Sequence, residues 1–406
     1  MNWQFHRRGR LFVTVLVMSW SLFKTAAQTA EENRLETLVA GDTEFGFRLL
    51  QQLTREQPDA NVFISPYSVA TVLQVLQNGA RGRTAEELQQ ALGTGDLTLE
   101  NMNLAAESLA AQLSSAKTNV LLNIANALWY RRGAELNDEF KNVNARSYQA
   151  TTSALDFTDS RSAQIMNDWA AANTSGRIKT IIQPPIRPDT AMVIANAIYF
   201  KGTWFNQFDP KRTAARPFHA IDGRDEPVPM MQQTRAFSYQ ETNGFQAVQL
   251  SYVGRQLQMQ VFLPATNSSV EALLGRLTAN SWRQEILPGF RERRGTLVLP
   301  RFTMRYGADL RAPLAALGIK NAFGQGADFS GMSASPLYVS EVKHQSFVEV
   351  NEQGTEAAAV TIGVVALASF QHEPPPFQMV VDRPFLFAIS EQQSHCILFI
   401  GVVQKI

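Results

Sequence analysis

Gly354-Thr-Glu-Ala-Ala-Ala-Val-Thr-Ile-Gly-Val-Val-Ala-Leu-Ala368 is a run of fifteen residues, nearly all small or β-branched, with one charge and no proline. Drawn out as a strand, it puts Thr355, Ala357, Ala359, Thr361, Gly363 and Val365 on one face and its only charge, Glu356, on the other. The uncharged face can be buried with no charge to desolvate. Pro374-Pro375-Pro376 then stops further pairing, because proline has no N–H to give to a ladder. It could be an ordinary central strand, but an ordinary strand holds about five or six residues, and fifteen is well beyond that.

Outward from this run the chain reads mostly as strands. Pro384–Ser390 and Cys396–Val403 follow it; Val120–Tyr130, Ala191–Phe200, Gln246–Tyr252, Thr296–Arg305 and Leu337–Val350 precede it. In Leu257-Gln-Met259-Gln-Val261-Phe-Leu263 the odd positions are apolar, which predicts a strand with one buried face. Helices gather earlier. Phe45, Leu49 and Leu53 mark one helix face; Ser65-Pro66 opens a second helix, with Val69, Val72, Leu73 and Leu76 on its apolar side and Gly79 at its end. Thr84 with Glu87 predicts a capping box for a third helix that stops at Gly93. With no linker, repeat or low-complexity tract, this order predicts a single α+β domain with much antiparallel sheet.

Composition narrows the function classes. The 406 residues are 45% hydrophobic and 18% charged, enough apolar content for a sizeable core. A formal net charge of +1 provides no field to draw nucleic acid or an anionic membrane. The single cysteine, Cys396, excludes an internal disulfide and a multi-cysteine zinc site, and in its apolar strand it reads as a buried, inert thiol. Gly-x-Ser-x-Gly, His-Glu-x-x-His and P-loop motifs are absent. His219, His344, His372 and His395 show no metal-ligand spacing, so no catalytic residue, metal or cofactor is expected. The first 27 residues stand apart: basic His6–Arg10, mostly apolar Leu11–Phe23, then Thr25, Ala26 and Ala27. That order predicts a secretory signal peptide over residues 1–27, the apolar run being short for a membrane span. The mature chain would be exported, extracellular or (in a bacterial source) periplasmic, with no membrane attachment.

Several motifs, in order, resemble those of the serpins. They are Asn61-Val-Phe-Ile-Ser65-Pro66-Tyr-Ser68, Gly79-Ala-Arg-Gly82-Arg-Thr84, Asn196-Ala-Ile-Tyr-Phe-Lys-Gly202-Thr-Trp204, Ala327-Asp-Phe-Ser-Gly331 and Leu337-Tyr-Val-Ser340. Phe347-Val-Glu-Val-Asn-Glu352-Gln-Gly354-Thr-Glu-Ala-Ala-Ala359 resembles the family's hinge signature, and Pro384-Phe-Leu-Phe387 its closing pattern. The resemblance spans roughly residues 35–406, with the reactive loop at about 352–376. It implies a large central β-sheet, smaller sheets, about eight or nine helices and an exposed reactive loop.

The resemblance also implies a suicide-substrate inhibitor in place of an enzyme. A target serine protease forms its acyl-enzyme on the loop, and the cut loop inserts into the central sheet; serpin insertion is an established case of strand addition and stored strain. Fifteen residues at about 3.3 Å each would carry the attached protease roughly 50 Å. About ten new backbone hydrogen bonds at about 1 kcal/mol net each would drive the step, so a metastable native fold is expected. The hinge would comprise Glu352, Gly354, Thr355, Glu356, Ala357, Ala358 and Ala359, with Thr355 entering first. The bland alternative is a non-inhibitory serpin acting as carrier or chaperone.

Counting from Glu352 as in antithrombin-like members puts the reactive bond at Ala368–Ser369, suited to an elastase-like protease. A shift of one or two residues would put Leu367 or Phe370 in that role and favour chymotrypsin-like enzymes. The stretch from this bond to Pro384 is about two residues longer than in those members, which leaves the choice open. No lysine or arginine lies between Glu352 and Glu373, which excludes trypsin- and thrombin-like targets; a cysteine protease stays open. By motif, Trp204 would sit near the insertion point, Ser65, Ser68, Asn196 and His344 would form a buried polar cluster under the sheet, and Arg301 would make an exposed, minor ion pair with Glu352. Leu104–Thr118 lacks the basic face that polyanion activation needs, and Arg291-Glu-Arg293-Arg294 reads as a solvated hairpin. A monomer is expected.

Overall fold

The computed structural model describes residues 8–95, 97–116, 120–355 and 375–406, with residues 8–27 and Ala116 described as backbone only. The early part is helical: α1 (Arg8–Glu56), α2 (Pro66–Gly79), α3 (Gly82–Leu92), α4 (Leu99–Ala116), α5 (Asp138–Tyr148) and α6 (Arg161–Asn173). Fifteen strands are seen among the described residues. The first eight are β1 (Val62–Ile64), β2 (Val120–Arg131), β3 (Thr151–Leu155), β4 (Met192–Thr203), β5 (Ala214–His219), β6 (Asp225–Glu241), β7 (Phe245–Ser251) and β8 (Leu257–Pro264). They continue as β9 (Arg291–Pro300), β10 (Phe302–Asp309), β11 (Val339–Asn351), β12 (Gly354–Thr355), β13 (Phe377–Val380), β14 (Phe385–Glu391) and β15 (Ile397–Val403). The α+β class read from the sequence holds.

Helix signals act mostly where the sequence puts them. Phe45, Leu49 and Leu53 are fully buried on α1, which runs unbroken from Arg8 through Ala27. Among the described residues no helix is long and apolar enough to cross a membrane. Ser65 caps α2, its Oγ accepting from the Ser68 N–H at 3.2 Å, with Pro66 in the first turn. The capping box at Thr84 and Glu87 does not form, because α3 begins earlier, at Gly82. Tertiary partners take both side chains instead. Thr84 Oγ1 accepts from the Asp328 N–H at 3.0 Å, and the Glu87 carboxylate accepts from the Lys320 and Asn321 N–H groups at 2.8 and 2.7 Å.

The strands form two sheets. One has six strands, ordered β10-β11-β12-β4-β2-β3, with β11 and β4 also paired directly and in parallel. The other has nine: β1-β15-β14-β8-β7-β6-β9-β13, with β5 on β6. Strand β8 is buried along its whole length and not on one face, since Gln260 is also inside, donating to Ser390 Oγ at 2.8 Å. The Thr296–Arg305 run is two strands in different sheets, divided where Pro300 ends β9 and the Arg301 N–H turns to Pro229 O. Arg291–Arg294 opens β9 and pairs along β6, with Arg293 against Glu241 at 3.2 Å, so it is no hairpin.

Two layers position the rest. Helix α2 packs between β4 and β15 and so lies under the six-stranded sheet. On the opposite face Ala163, Met166 and Ala170 of α6, with Ile178, Ile181 and Ile182 of the following loop, pack on Ala127, Trp129, Val193 and Ala195.

Candidate functional site

The seam between β4 and β11 organises the site. From Val193–Glu341 to Tyr199–Phe347 these strands pair directly and in parallel. Above Phe347 the chain reverses through Asn351-Glu352-Gln353. Asn351 Oδ1 holds the reversal by accepting from the N–H groups of Gln353 (3.0 Å) and Gly354 (3.3 Å). Strand β12 then wedges between the two, antiparallel to both: Thr355 faces Val350 on β11 and Gly202 on β4. Val350 and Gly202 differ by 148 in sequence, as does every seam pair from Glu341–Val193 to Phe347–Tyr199. A strand extending β12 down the seam therefore needs no slip against either neighbour.

Backbone space selects the first residue of β12. Gly354 has φ +145°, and a Cβ there would sit 2.1 Å from Gly202 O, so only glycine fits. Thr355 is fully buried, its Oγ1 2.9 Å from the Tyr252 hydroxyl. Burial also pushes the Tyr252 phenol far up. Trp204 stacks on Tyr252 with ring centroids 4.5 Å apart, its Nε1 donating to Asn351 O at 3.0 Å and its backbone N–H to Gln353 O at 2.9 Å. Trp204 thus holds the reversal from beneath. The Glu352–Arg301 pair is exposed on one side only, the Arg301 side chain being 46% exposed. The carboxylate is only 5% exposed; Arg301 Nε donates to both its oxygens (2.8 and 2.7 Å), and Thr213 Oγ1 also donates to it. Burial raises this carboxyl's pKa, but the Arg301 and Thr213 hydrogen bonds outweigh it and hold the group below its ordinary value.

Ser65, Ser68, Asn196 and His344 meet in one buried network that crosses the seam. His344 and Asn196 are register partners on β11 and β4, and Asn126 is Asn196's partner on β2. His344 Nε2 accepts from the Ser65 N–H (3.3 Å), so its proton sits on Nδ1 and is given to Asn196 Oδ1 (3.2 Å). Asn196 Nδ2 donates to Ser68 Oγ (2.5 Å) and Asn126 Oδ1 (2.8 Å), and Ser346 Oγ donates to Phe63 O (2.6 Å). Full burial lowers the imidazole pKa to about 3, so the ring is neutral.

Asn126 and Ser346 escaped the sequence reading, although a polar residue inside an apolar run was the signal for each. Tyr252 carried no signal, because it reaches Thr355 from outside the six-stranded sheet. Glu356, Ala357, Ala358, Ala359, Leu367, Ala368, Ser369 and Phe370 lie outside the described residues. Cys396 is buried, its thiol pKa pushed well up by desolvation. Among the described residues no cluster of His, Cys, Asp or Glu could hold a metal ion.

The family model described as serpin (serine protease inhibitor) matches residues 40–406. Iripin-2 of Ixodes ricinus is 36% identical over 403 residues, 97% of each chain. The leukocyte elastase inhibitor of Sus scrofa is 32% identical over 378 residues, 90% of this chain and 99% of that protein. Human thyroxine-binding globulin, solved with its hormone, superposes with a TM-score of 0.83 at 28% identity, covering 92% of this chain and 99% of that one. The chain belongs to the serpin family. The family includes inhibitors that bind target proteases, the leukocyte elastase inhibitor among them, and non-inhibitory members such as thyroxine-binding globulin.

Proposed function

We propose that this chain is a secreted inhibitor that traps a serine protease as its acyl-enzyme by inserting the cleaved reactive loop between β4 and β11. The observation that carries the reading is β12: Gly354 and Thr355 occupy the first rungs of that seam, in register with both neighbours. Continuing the register would set Ala358 between Phe347 and Tyr199, and Thr361 between His344 and Asn196. Each inserted residue replaces one parallel rung by two antiparallel ones, the slightly more stable pairing. The Thr361 hydroxyl, both donor and acceptor, can take up the Nδ1–H and the Oδ1 that the parting strands release. Residues from Ala357 to Val365 on the inward face carry no charge into the core.

Export rests on residues 1–27, with cleavage after Ala27. The reactive bond is Ala368–Ser369, and the target is elastase-like; Leu367 or Phe370 in that role would favour a chymotrypsin-like enzyme. Glu352, Gly354 and Thr355 act as hinge, and Trp204 with Arg301 holds the reversal above it.

Stoichiometric incubation with an elastase, read on a denaturing gel, tests the trap and its bond together. A covalent band near the summed masses, with mass spectrometry placing the cut after Ala368, is expected. Clean cleavage with no such band, and no rise in melting temperature of the cut protein, would remove trapping and promote the carrier reading. Cleavage with a large rise would mean that the loop inserts and the protease is the wrong one.

A further inference from the structure

Asn-x-Ser/Thr, with x other than proline, is the acceptor sequence for N-linked glycans on chains exported by eukaryotic cells. It occurs at Asn173-Thr-Ser175 and at Asn267-Ser-Ser269. The transferred sugar becomes a lasting, bulky substituent on the asparagine Nδ2. A site that the folded protein accepts therefore keeps this nitrogen in solvent, with no hydrogen bond to give up.

The two sequons differ in this respect. Asn267 lies in the turn that joins β8 to a short helix, α7 (Val270–Leu274). The Ser268 N–H closes the turn on Ala265 O at 2.8 Å, and the Ala265 N–H donates to Gly244 O at 2.9 Å. Asn267 itself is exposed, and its side chain makes no hydrogen bond among the described residues. Ser269, the hydroxyl residue of this sequon, is also exposed; its Oγ accepts from the Ala272 N–H at 3.1 Å and so caps α7. Asn173 is instead the last residue of α6 and half-buried, its Nδ2 donating to Trp169 O at 2.8 Å. Its neighbour Thr174 is fully buried, with Oγ1 donating to Ala170 O at 2.7 Å and accepting from the Ile178 N–H at 3.0 Å. Ser175, the hydroxyl residue there, has φ +50°. The nitrogen of Asn173 is thus turned back onto the helix, where a glycan would displace its bond and press on a packed end.

We propose that Asn267 is an N-glycosylation site and Asn173 is not, so that the exported chain carries one N-linked glycan, on the turn before α7. The donor is a polyprenyl-diphosphate-linked oligosaccharide. A bond forms between Asn267 Nδ2 and the anomeric carbon of the first sugar, and the bond from that carbon to the diphosphate oxygen breaks. The electron pair leaves with the diphosphate, Nδ2 gives up one proton, and nothing is oxidised or reduced. Because the donor and its transferase lie inside the secretory pathway, the inference rests on the export reading.

The test expresses the full chain in animal cells, beside a second version with a proven secretory leader in place of residues 1–27. Protein from the medium is treated with peptide-N-glycosidase in heavy-oxygen water, which converts a glycosylated asparagine to labelled aspartate. Tandem mass spectrometry then reads the tryptic peptides Gln256–Arg276 and Ser162–Arg177. Label at Asn267 alone is expected. On a gel, Asn267→Gln should lose the only mobility step that the enzyme removes, Asn173→Gln should keep it, and Ser269→Thr, which preserves both sequon and cap, should keep it too. Unlabelled Asn267 in secreted protein overturns the site whatever the variants do, and label at Asn173 overturns the selectivity. Secretion and label with the borrowed leader only would sink the export reading and leave the site standing.

Discussion

Thr355 Oγ1 lies 2.9 Å from the Tyr252 hydroxyl, and both residues are fully buried. The contact joins the residue that begins β12 to a side chain standing outside the six-stranded sheet. It makes position 355 selective for a small side chain with a polar tip.

Thr355→Glu would bring a carboxylate to that place with no cation to pair it, an effective penalty of several kcal/mol. The variant is expected to be cut by an elastase yet give at least about tenfold less covalent complex, the loop having lost its first rung. Thr355→Val, which leaves one buried hydroxyl unpaired, should lower stability by about 1–3 kcal/mol and still form complex. Wild-type complex yield from Thr355→Glu would contradict the proposed order of insertion.

Gly354→Ala tests the same wedge through the backbone. Its Cβ would overlap Gly202 O, and positive φ disfavours any side chain there. Residues 354 and 355 should leave the sheet, exposing Tyr252 and Trp204. A red-shifted tryptophan emission and faster hydrogen exchange around Gly202 are expected. Spectra and exchange identical to the wild type would mean that the wedge tolerates a side chain.

The register argument makes its own prediction at Thr361. If that residue arrives between His344 and Asn196, Thr361→Val leaves their freed donor and acceptor unsatisfied in the inserted form alone. The melting temperature of cleaved protein should drop by several degrees, corresponding to about 1–3 kcal/mol, with the intact protein unchanged. Equal effects on both forms would refute the register.

Acid should act first through His344. Its pKa in the folded protein is lowered from an ordinary 6.5 to about 3. The unfolded chain therefore binds more protons in that window, and the stabilisation is complete above pH 6.5 and lost progressively as pH falls towards 3. Glu352 is also held below its ordinary value of 4.5, so its share disappears only under more acidic conditions. Urea midpoints measured from pH 7.5 downward should decline before carboxylates titrate, and the early part of that decline should be smaller in His344→Gln, with His395, also lowered by burial, carrying the remainder. A flat profile to pH 5 in the wild type would rule His344 out as its source.

Much of this site could be read from the residues because its parts are local. The Ser65-Pro66 cap states its constraint within a few positions, and Asn196, His344 and Trp204 are placed by the family's motifs and not by periodicity. Thr84 and Glu87 misled because a capping box looks the same when its side chains are taken by Asp328, Lys320 and Asn321. Gln260 broke the alternation of β8 because its partner, Ser390, lies on a neighbouring strand. The burial of Glu352 depends on Arg301 and Thr213 arriving from β-strand ends far away in sequence. Periodicity registers none of these, since each is settled by tertiary packing.

Val62 pairs with Val402, and so the first strand of the chain waits for the last. During synthesis the ribosome releases β4, β11 and the fifteen-residue run before β15, while β1, just ahead of the helix that carries Ser65 and Ser68, still lacks its neighbour. If the inserted arrangement is the lower in energy, as the trapping reading requires, the run is available to compete for the seam before the nine-stranded sheet is sealed. Which arrangement a newborn chain keeps is then a contest of rates, decided by how quickly its final strands dock.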